Sequence, residues 1–459
     1  MADATSARLL LLGIVAFTVA GCATAKPDLK RLYEHESRRD FYNPVVVIHG
    51  FGGARLRDRD TRIALWPPSL PEVLSRETYD LALPIDPASL TTLPSSIEAY
   101  ALFDQLGGFD FYAGLLRTLS RPGGYQLTRP GTPARINERR FYTFIYDWRQ
   151  DIVTTVRSLD KLVNQIRRDY GRPDLKVDIV AHSMGGLITR YYARYGTQDV
   201  LDRDTFDITN DGATRIRKVV MMGTPNLGSV SVVYTYMTGF GIGSYGLPSE
   251  ILTTLPAVYQ LFPHPLIPWL VDINGDPVRE SLYDVDTWKR HQWGIYDPDV
   301  IHRVIEHAPD IEQGKAQHAL LTRFFAKQLK RSERLSLALA SRANETPLHY
   351  VIFGGGCKLT PARLLVERVG QEDRVHLFPN RIVQPRDGVD YNRIMLQPGD
   401  GRVTKPSLLS RESLDPTTAR DRNITLPMRN TIMFCESHGS LTGNIYFQDN
   451  LLNILLTED

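Results

Sequence analysis

Cysteine is scarce in this 459-residue chain. The three present are too few for a disulfide scaffold and stand in no CxxC spacing that would suit a metal. An excess of charge of one sign is also missing: 54 Lys and Arg face 52 Asp and Glu, a formal +2. No global field therefore draws in nucleic acid, whose binding rests on counterion release, and no nucleic-acid partner is expected. Glycine and proline make up about 14% of the residues, short of the ~25–30% of low-complexity chains. There is no internal repeat, and the glycine-rich turn His49-Gly50-Phe51-Gly52-Gly53 is followed by no GxGxxG and no P-loop lysine, so a dinucleotide reading fails there. No cofactor and no metal is expected. What is present is 42% hydrophobic and 23% charged residues, the composition of a globular protein long enough to bury a large core.

Leu9 to Ala20 is an uncharged run preceded by Arg8 and followed by Gly21-Cys22. It is too short to span a bilayer, which takes ~18–20 apolar residues, and it has the length of a signal-peptide core. Val19-Ala20-Gly21-Cys22 resembles the lipobox of bacterial lipoproteins, which implies cleavage before Cys22 and lipidation of that cysteine. The alternative is an ordinary signal peptide with a chance cysteine. Residues 1–21 are thus expected to be a lipoprotein signal peptide, 22–43 a tether, and 44–459 the folded domain. Ala23 resembles the outer-membrane sorting context. The expected location is the bacterial cell envelope, lipid-anchored at the outer membrane, with the periplasmic or surface face open.

Beyond the tether, strand and helix signals alternate. Val45-Val46-Val47-Ile48, Phe141 to Tyr146, Val177 to Val180 and Lys218 to Met222 predict strands. Helical patterns fall over Asp110 to Ser120, Ile152 to Arg168, Met184 to Tyr195 and Ile445 to Leu456. The alternation predicts an α/β fold with a mostly parallel central sheet and helices on both faces. The third strand runs through Ala181-His182-Ser183-Met184-Gly185-Gly186 directly into a helix. Strand, tight turn and helix with small flanking residues are what a nucleophile elbow at Ser183 requires. The plain alternative is a serine that caps a helix.

A nucleophilic serine needs a base held by a carboxylate, in the chain order Ser, then Asp or Glu, then His. His438 sits in the turn-rich Cys435-Glu436-Ser437-His438-Gly439 and is the only histidine after His376. Asp400 lies between glycines in Gly399-Asp400-Gly401, with Asp387 and Asp390 as competing carboxylates. The oxyanion hole should combine the N–H of Met184 with one from His49-Gly50-Phe51, where Phe51 is the expected donor.

Together with Tyr146-Asp147-Trp148-Arg149 and Gly223-Thr224-Pro225-Asn226-Leu227-Gly228-Ser229, these motifs resemble the lecithin:cholesterol acyltransferase family. The resemblance runs from about residue 44 to 440 and implies an α/β-hydrolase fold with Ser183, Asp400 and His438 as nucleophile, acid and base. It also implies phospholipid or another lipid ester as acyl donor, and water, a sterol or a lipid alcohol as acceptor. Tyr146 to Arg149 is expected to be structural, its Asp and Arg pairing near the site. The chain lacks the cysteine pair that brackets a docking loop in animal members. For Cys357 and Cys435, a disulfide tying the base loop to the sheet and two buried thiols both stay open. From Val219 to Ser249 no residue is charged, and this stretch is expected to form an apolar lid over the acyl groove and meet the membrane, within a cap inserted at about 230–340. Leu65 to Leu70, with Trp66, is a second candidate for dipping into lipid. The alternatives are an esterase for soluble esters and a non-catalytic lipid-binding lipoprotein on a hydrolase scaffold.

Overall fold

Successive side chains of a strand point to opposite faces, so a strand buried throughout must be covered on both sides. All four residues of β1 (Val45–Ile48) are buried: Val46 and Ile48 enter one hydrophobic cluster, Val45 and Val47 another. The structure, a computed structural model, describes residues 26–33, 41–67, 78–106, 109–135, 137–242, 245–342, 348–412 and 426–457. Cys22 and the expected signal peptide lie outside them. After β1 come β2 (Gln126–Leu127), β3 (Arg140–Phe144), β4 (Val177–His182), β5 (Ile216–Met222), β6 (Tyr350–Gly355) and β7 (Met428–Phe434). They form one seven-stranded sheet in the order β7-β6-β5-β4-β1-β3-β2, with every neighbouring pair parallel.

The main helices are α1 (Ala113–Ser120), α2 (Ile152–Asp169), α3 (Met184–Tyr195), α4 (Val230–Thr238), α5 (Ile311–Ala340) and α6 (Ile445–Leu456). Leu115 and Leu119 of α1 and Phe447, Leu451 and Leu455 of α6 pack with Val45 and Val47. On the other face, α2 buries Ile152, Val156, Leu159, Val163 and Ile166 at helical spacing. Each such side chain contributes on the order of 1.5–3 kcal/mol. Asp151 caps α2 by accepting the Val153 N–H at 2.8 Å. The α/β-hydrolase architecture expected from the sequence is the one observed.

Between β5 and β6 the chain leaves the sheet and returns through α4, several short helices and the long α5. Tyr236, Tyr259, Phe262, Trp288 and Phe325 pack ring against ring at its centre. Arg331 of α5 ties this region to the body through Asp151 and Asp199, both at 2.7 Å. Strand Leu270–Val271 pairs with Leu364–Val369, which in turn pairs with Glu372–His376. A two-residue strand has no periodicity to read.

Leu65 and Trp66 do not dip into lipid, being only 5% and 2% exposed. Trp66 donates its indole N–H to the Gly52 carbonyl at 2.9 Å and packs on Trp148 and Phe240. Those aromatic neighbours and that buried acceptor outcompete an interface for the ring. Residues 68–70 of the same stretch lie outside the described residues. Among the described residues no helix is long and apolar enough to cross a membrane.

Candidate active site

At the carboxyl end of β4 the backbone turns sharply into α3, with Ser183 at φ 53° and ψ −123°. A non-glycine residue held there costs about 1–3 kcal/mol, and the surroundings must over-determine it. Two glycines make room. A Cβ on Gly50 would stand 2.7 Å from the Ser183 Cβ, so the loop after β1 can lie against the serine only without a side chain. A Cβ on Gly186 would collide with the Thr224 hydroxyl, so α3 packs tightly beside the loop after β5. The Ser183 N–H donates to Met222 at 2.8 Å and completes the turn.

His438, in the loop after β7, places Nε2 3.0 Å from Ser183 Oγ and Nδ1 2.8 Å from Asp400 Oδ2. A carboxylate only accepts, so Nδ1 carries the proton and Nε2 is left to receive the serine hydroxyl. Asp400 is 1% exposed. Burial alone would raise its pKa, but the charge of His438 and hydrogen bonds from His438, Val403 and Arg402 outweigh it and hold the carboxyl below the usual carboxylate value. A second tie runs through the backbone, where the His438 N–H donates to the Asp400 carbonyl at 2.9 Å. Asp387 sits exposed in its turn, and Asp390 caps a short helix by accepting the Arg393 N–H; neither is hydrogen-bonded to His438. Cys435, three residues before His438, is joined by a disulfide to Cys357 just after β6.

The N–H groups of Phe51 and Met184 find no protein acceptor among the described residues. For Met184 this follows from its place in the first turn of α3, where helix geometry leaves N–H groups unpaired. Both residues flank Ser183, as the sequence suggests for an oxyanion hole. Tyr146 to Arg149 holds the loop from behind. The Tyr146 hydroxyl donates to the His49 carbonyl at 2.7 Å, Trp148 donates to the Ala54 carbonyl at 3.0 Å, and Arg149 grips Asp147 at 2.7 Å.

One connection has no sequence signal beyond the position of His182 next to Ser183. The Gly50 N–H donates to Tyr112 Oη at 3.0 Å, and the Tyr112 hydroxyl donates to His182 Nδ1 at 2.8 Å. His182 Nε2–H then donates to the His438 carbonyl at 3.1 Å. Burial, followed by the nearby His438 charge, lowers the His182 pKa to about 3, so the ring is neutral and the direction of the chain is fixed. It spans from the expected oxyanion loop to the backbone of His438.

These groups open on a cavity of about 650 Å³ lined by Phe51, Trp66, Phe103, Phe111, Val232, Thr235, Phe240, Leu252, Val258 and Leu261, with Ser183 and His438 in its wall. Val232, Thr235 and Phe240 come from the uncharged stretch expected to cover the groove.

Residues 136–341 match the family model for lecithin:cholesterol acyltransferase. No curated protein matches the chain. Among solved structures the chain is similar to one in a Tle4–Tli4 complex, at 14% identity over 90% of this chain and 98% of that one, with a TM-score of 0.50. It also aligns with the mature lipase BlEst2 of Bacillus licheniformis, at 14% identity over 91% of this chain and 93% of that one, TM-score 0.34. EstA of Clostridium botulinum aligns at 11% identity over 92% and 90%, TM-score 0.33. Identities this low compare folds and not activities. The family match spans the strand end at Tyr146 to Arg149, the turn at Ser183 and the cap, so this part of the chain is similar to the lecithin:cholesterol acyltransferase family, and the chain as a whole has an α/β-hydrolase fold.

Proposed function

We propose that the protein carries out serine-dependent acyl transfer from lipid esters through an acyl-enzyme on Ser183. It would act as a phospholipase A or lipase when water is the acceptor and as an O-acyltransferase when a sterol or lipid alcohol is. The observation that carries this reading is the hydrogen-bonded series Asp400, His438 and Ser183 in the wall of an apolar cavity. His438 Nε2 takes the Ser183 proton as Oγ bonds to the ester carbonyl carbon. The N–H groups of Phe51 and Met184 receive the negative charge on the carbonyl oxygen, worth on the order of 3 kcal/mol per donor. The tetrahedral centre collapses, the alkoxide leaves with the proton from His438, and the acyl group stays on Ser183. The acceptor hydroxyl then gives its proton to His438, attacks the same carbonyl and frees the serine. The aromatic and aliphatic lining favours a long acyl chain over a soluble ester, because apolar area removed from water drives its binding.

The test is labelling of Ser183 by a fluorophosphonate, then incubation with acyl-labelled phospholipid vesicles with and without sterol. Free fatty acid identifies the hydrolase and steryl ester the transferase. Ser183→Ala is expected to lose the label and roughly a thousandfold or more of turnover with an unchanged melting temperature. Turnover retained by that variant would remove the assignment. We further propose that Cys22 carries the lipid anchor and holds the enzyme in the bacterial cell envelope; metabolic labelling with a fatty acid should be lost in Cys22→Ala.

A further inference from the structure

The mouth of the cavity carries positive charge that the acyl-transfer chemistry does not use. Arg402 is exposed and lines the same cavity as Ser183 and His438. Its main chain is committed to the site: the N–H donates to Asp400 Oδ1 at 2.9 Å and the carbonyl accepts from Ser229 Oγ at 2.6 Å. The guanidinium is therefore held at the rim by a fixed backbone. Two lysines stand beside it. Lys358 pairs in register with Gly399, and its Cδ lies 4.0 Å from where a Cβ on Gly401 would be. Lys405 opens the short helix Lys405–Leu408, with its Cδ 3.9 Å from the corresponding point on Gly356.

None of the three has an ion-pair partner among the described residues. Of the nearby carboxylates, Asp400 is bound to His438, and Glu436 accepts from Asn444 Nδ2 at 3.0 Å. No carboxylate lines the cavity among the described residues. By contrast, Arg149, buried, and Arg217 and Arg331, half-buried, are each matched, with Asp147, Asp178 and Asp151. Cations without counter-charge beside the opening of an apolar cavity complement an interface that is anionic at its surface and apolar just beneath.

We propose that Lys358, Arg402 and Lys405 form a docking rim for an anionic lipid surface, and that Arg402 takes the phosphate of the lipid whose ester reaches Ser183. Only the part played by Arg402 rests on the acyl-transfer reading. A guanidinium presents a planar fork that matches phosphate oxygens. The lysines act as point charges felt over about a Debye length.

Vesicle co-sedimentation of the full-length chain carrying Ser183→Ala and Cys22→Ser tests the rim without turnover or an acyl anchor. At low salt the protein should sediment with phosphatidylglycerol-containing vesicles and stay in solution with phosphatidylcholine vesicles, and about 0.5 M salt should erase the difference. Lys358→Gln combined with Lys405→Gln should weaken binding to the anionic vesicles about 25-fold, roughly fivefold per cation. An unchanged melting temperature shows that the double variant remains folded. Equal partitioning into both vesicle types, or a double variant that binds like its parent, overturns the rim. With Ser183 restored, Arg402→Gln should lower the ratio of fatty acid release from a phospholipid over that from a diacylglycerol, which has no phosphate, about fivefold in vesicles of otherwise equal composition. An unchanged ratio removes Arg402 from the assignment. Charge-dependent vesicle binding without turnover in any variant would leave the rim standing and sink the acyl-transfer reading instead.

Discussion

Tyr112 touches neither Ser183 nor Asp400 by any hydrogen bond, yet its hydroxyl serves both sides of the site. It accepts from Gly50, whose neighbour Phe51 is the expected oxyanion donor, and it donates to His182, which holds the His438 carbonyl. Tyr112→Phe leaves a buried N–H and a buried ring nitrogen without partners, at about 1–3 kcal/mol each. The ester-binding cavity keeps its shape, so the loss should fall on the chemical step: kcat down about tenfold with KM within about twofold, measured on a monomeric ester. A fall in affinity alone would show that the chain of hydrogen bonds does not set the donors and the base. The three principal side chains are legible in the sequence because chemistry restricts their types and their order. Tyr112 is not, since nothing in Phe111-Tyr112-Ala113 separates a tyrosine that orients a histidine from one that fills a core. Arg402 stands inside a quoted motif, but its freedom from any counter-charge can be seen only when the neighbouring strands are assembled.

At the level of elements, strands and helices that bury a full face are the ones the sequence announces. The runs in β1, β4 and β5 and the apolar stripe of α2 fall where hydrophobic period places them. The sheet made by Leu270–Val271, Leu364–Val369 and Glu372–His376 is hidden, because pairing between segments so far apart leaves no local period. Trp66 misled for a related reason: an aromatic followed by two prolines reads as exposed, while its partners Trp148 and Phe240 are remote in sequence. The segment bearing His438 opens only a short 3-10 helix, His438–Gly443, and is stapled as well. Its disulfide joins Cys435 to Cys357 across a sequence separation of 78, so it restrains the unfolded chain strongly in the loop-entropy account. Replacing both cysteines by serine should lower unfolding free energy by about 2–4 kcal/mol in urea titrations. It should also reduce kcat, because the loop of the proposed base His438 loses one of its ties. A double variant with the urea midpoint of the parent would show that the backbone bond from His438 to Asp400 suffices.

For the whole molecule, near-neutral charge leaves stability against acid to a few buried groups. His49 and His182 are both fully enclosed by the fold, and burial lowers their pKa values to about 4 and about 3, with the His438 charge adding to the effect at His182. Tyr112 and the His438 carbonyl face His182, while the Gly50 carbonyl and the Tyr146 N–H face His49. In the unfolded chain both rings titrate near 6.5. Above that pH they are neutral in either state and contribute no slope. Between 6.5 and about 4 the unfolded chain takes up protons that the fold refuses, so stability falls as pH falls, by up to about 1.4 kcal/mol per unit for each ring. Asp400 has the same sign at lower pH: its lowered pKa stabilises the fold above the usual carboxylate value, and that contribution is lost as pH drops further. Urea unfolding at pH 8 and at pH 5 should therefore differ by about 4 kcal/mol from the two histidines together. His182→Asn has no ring to protonate and should show about half that difference, whatever its effect on activity. A flat profile between pH 8 and pH 5 would mean that the two rings take up protons inside the fold, and the fixed direction of the Tyr112–His182 chain would then have to be abandoned.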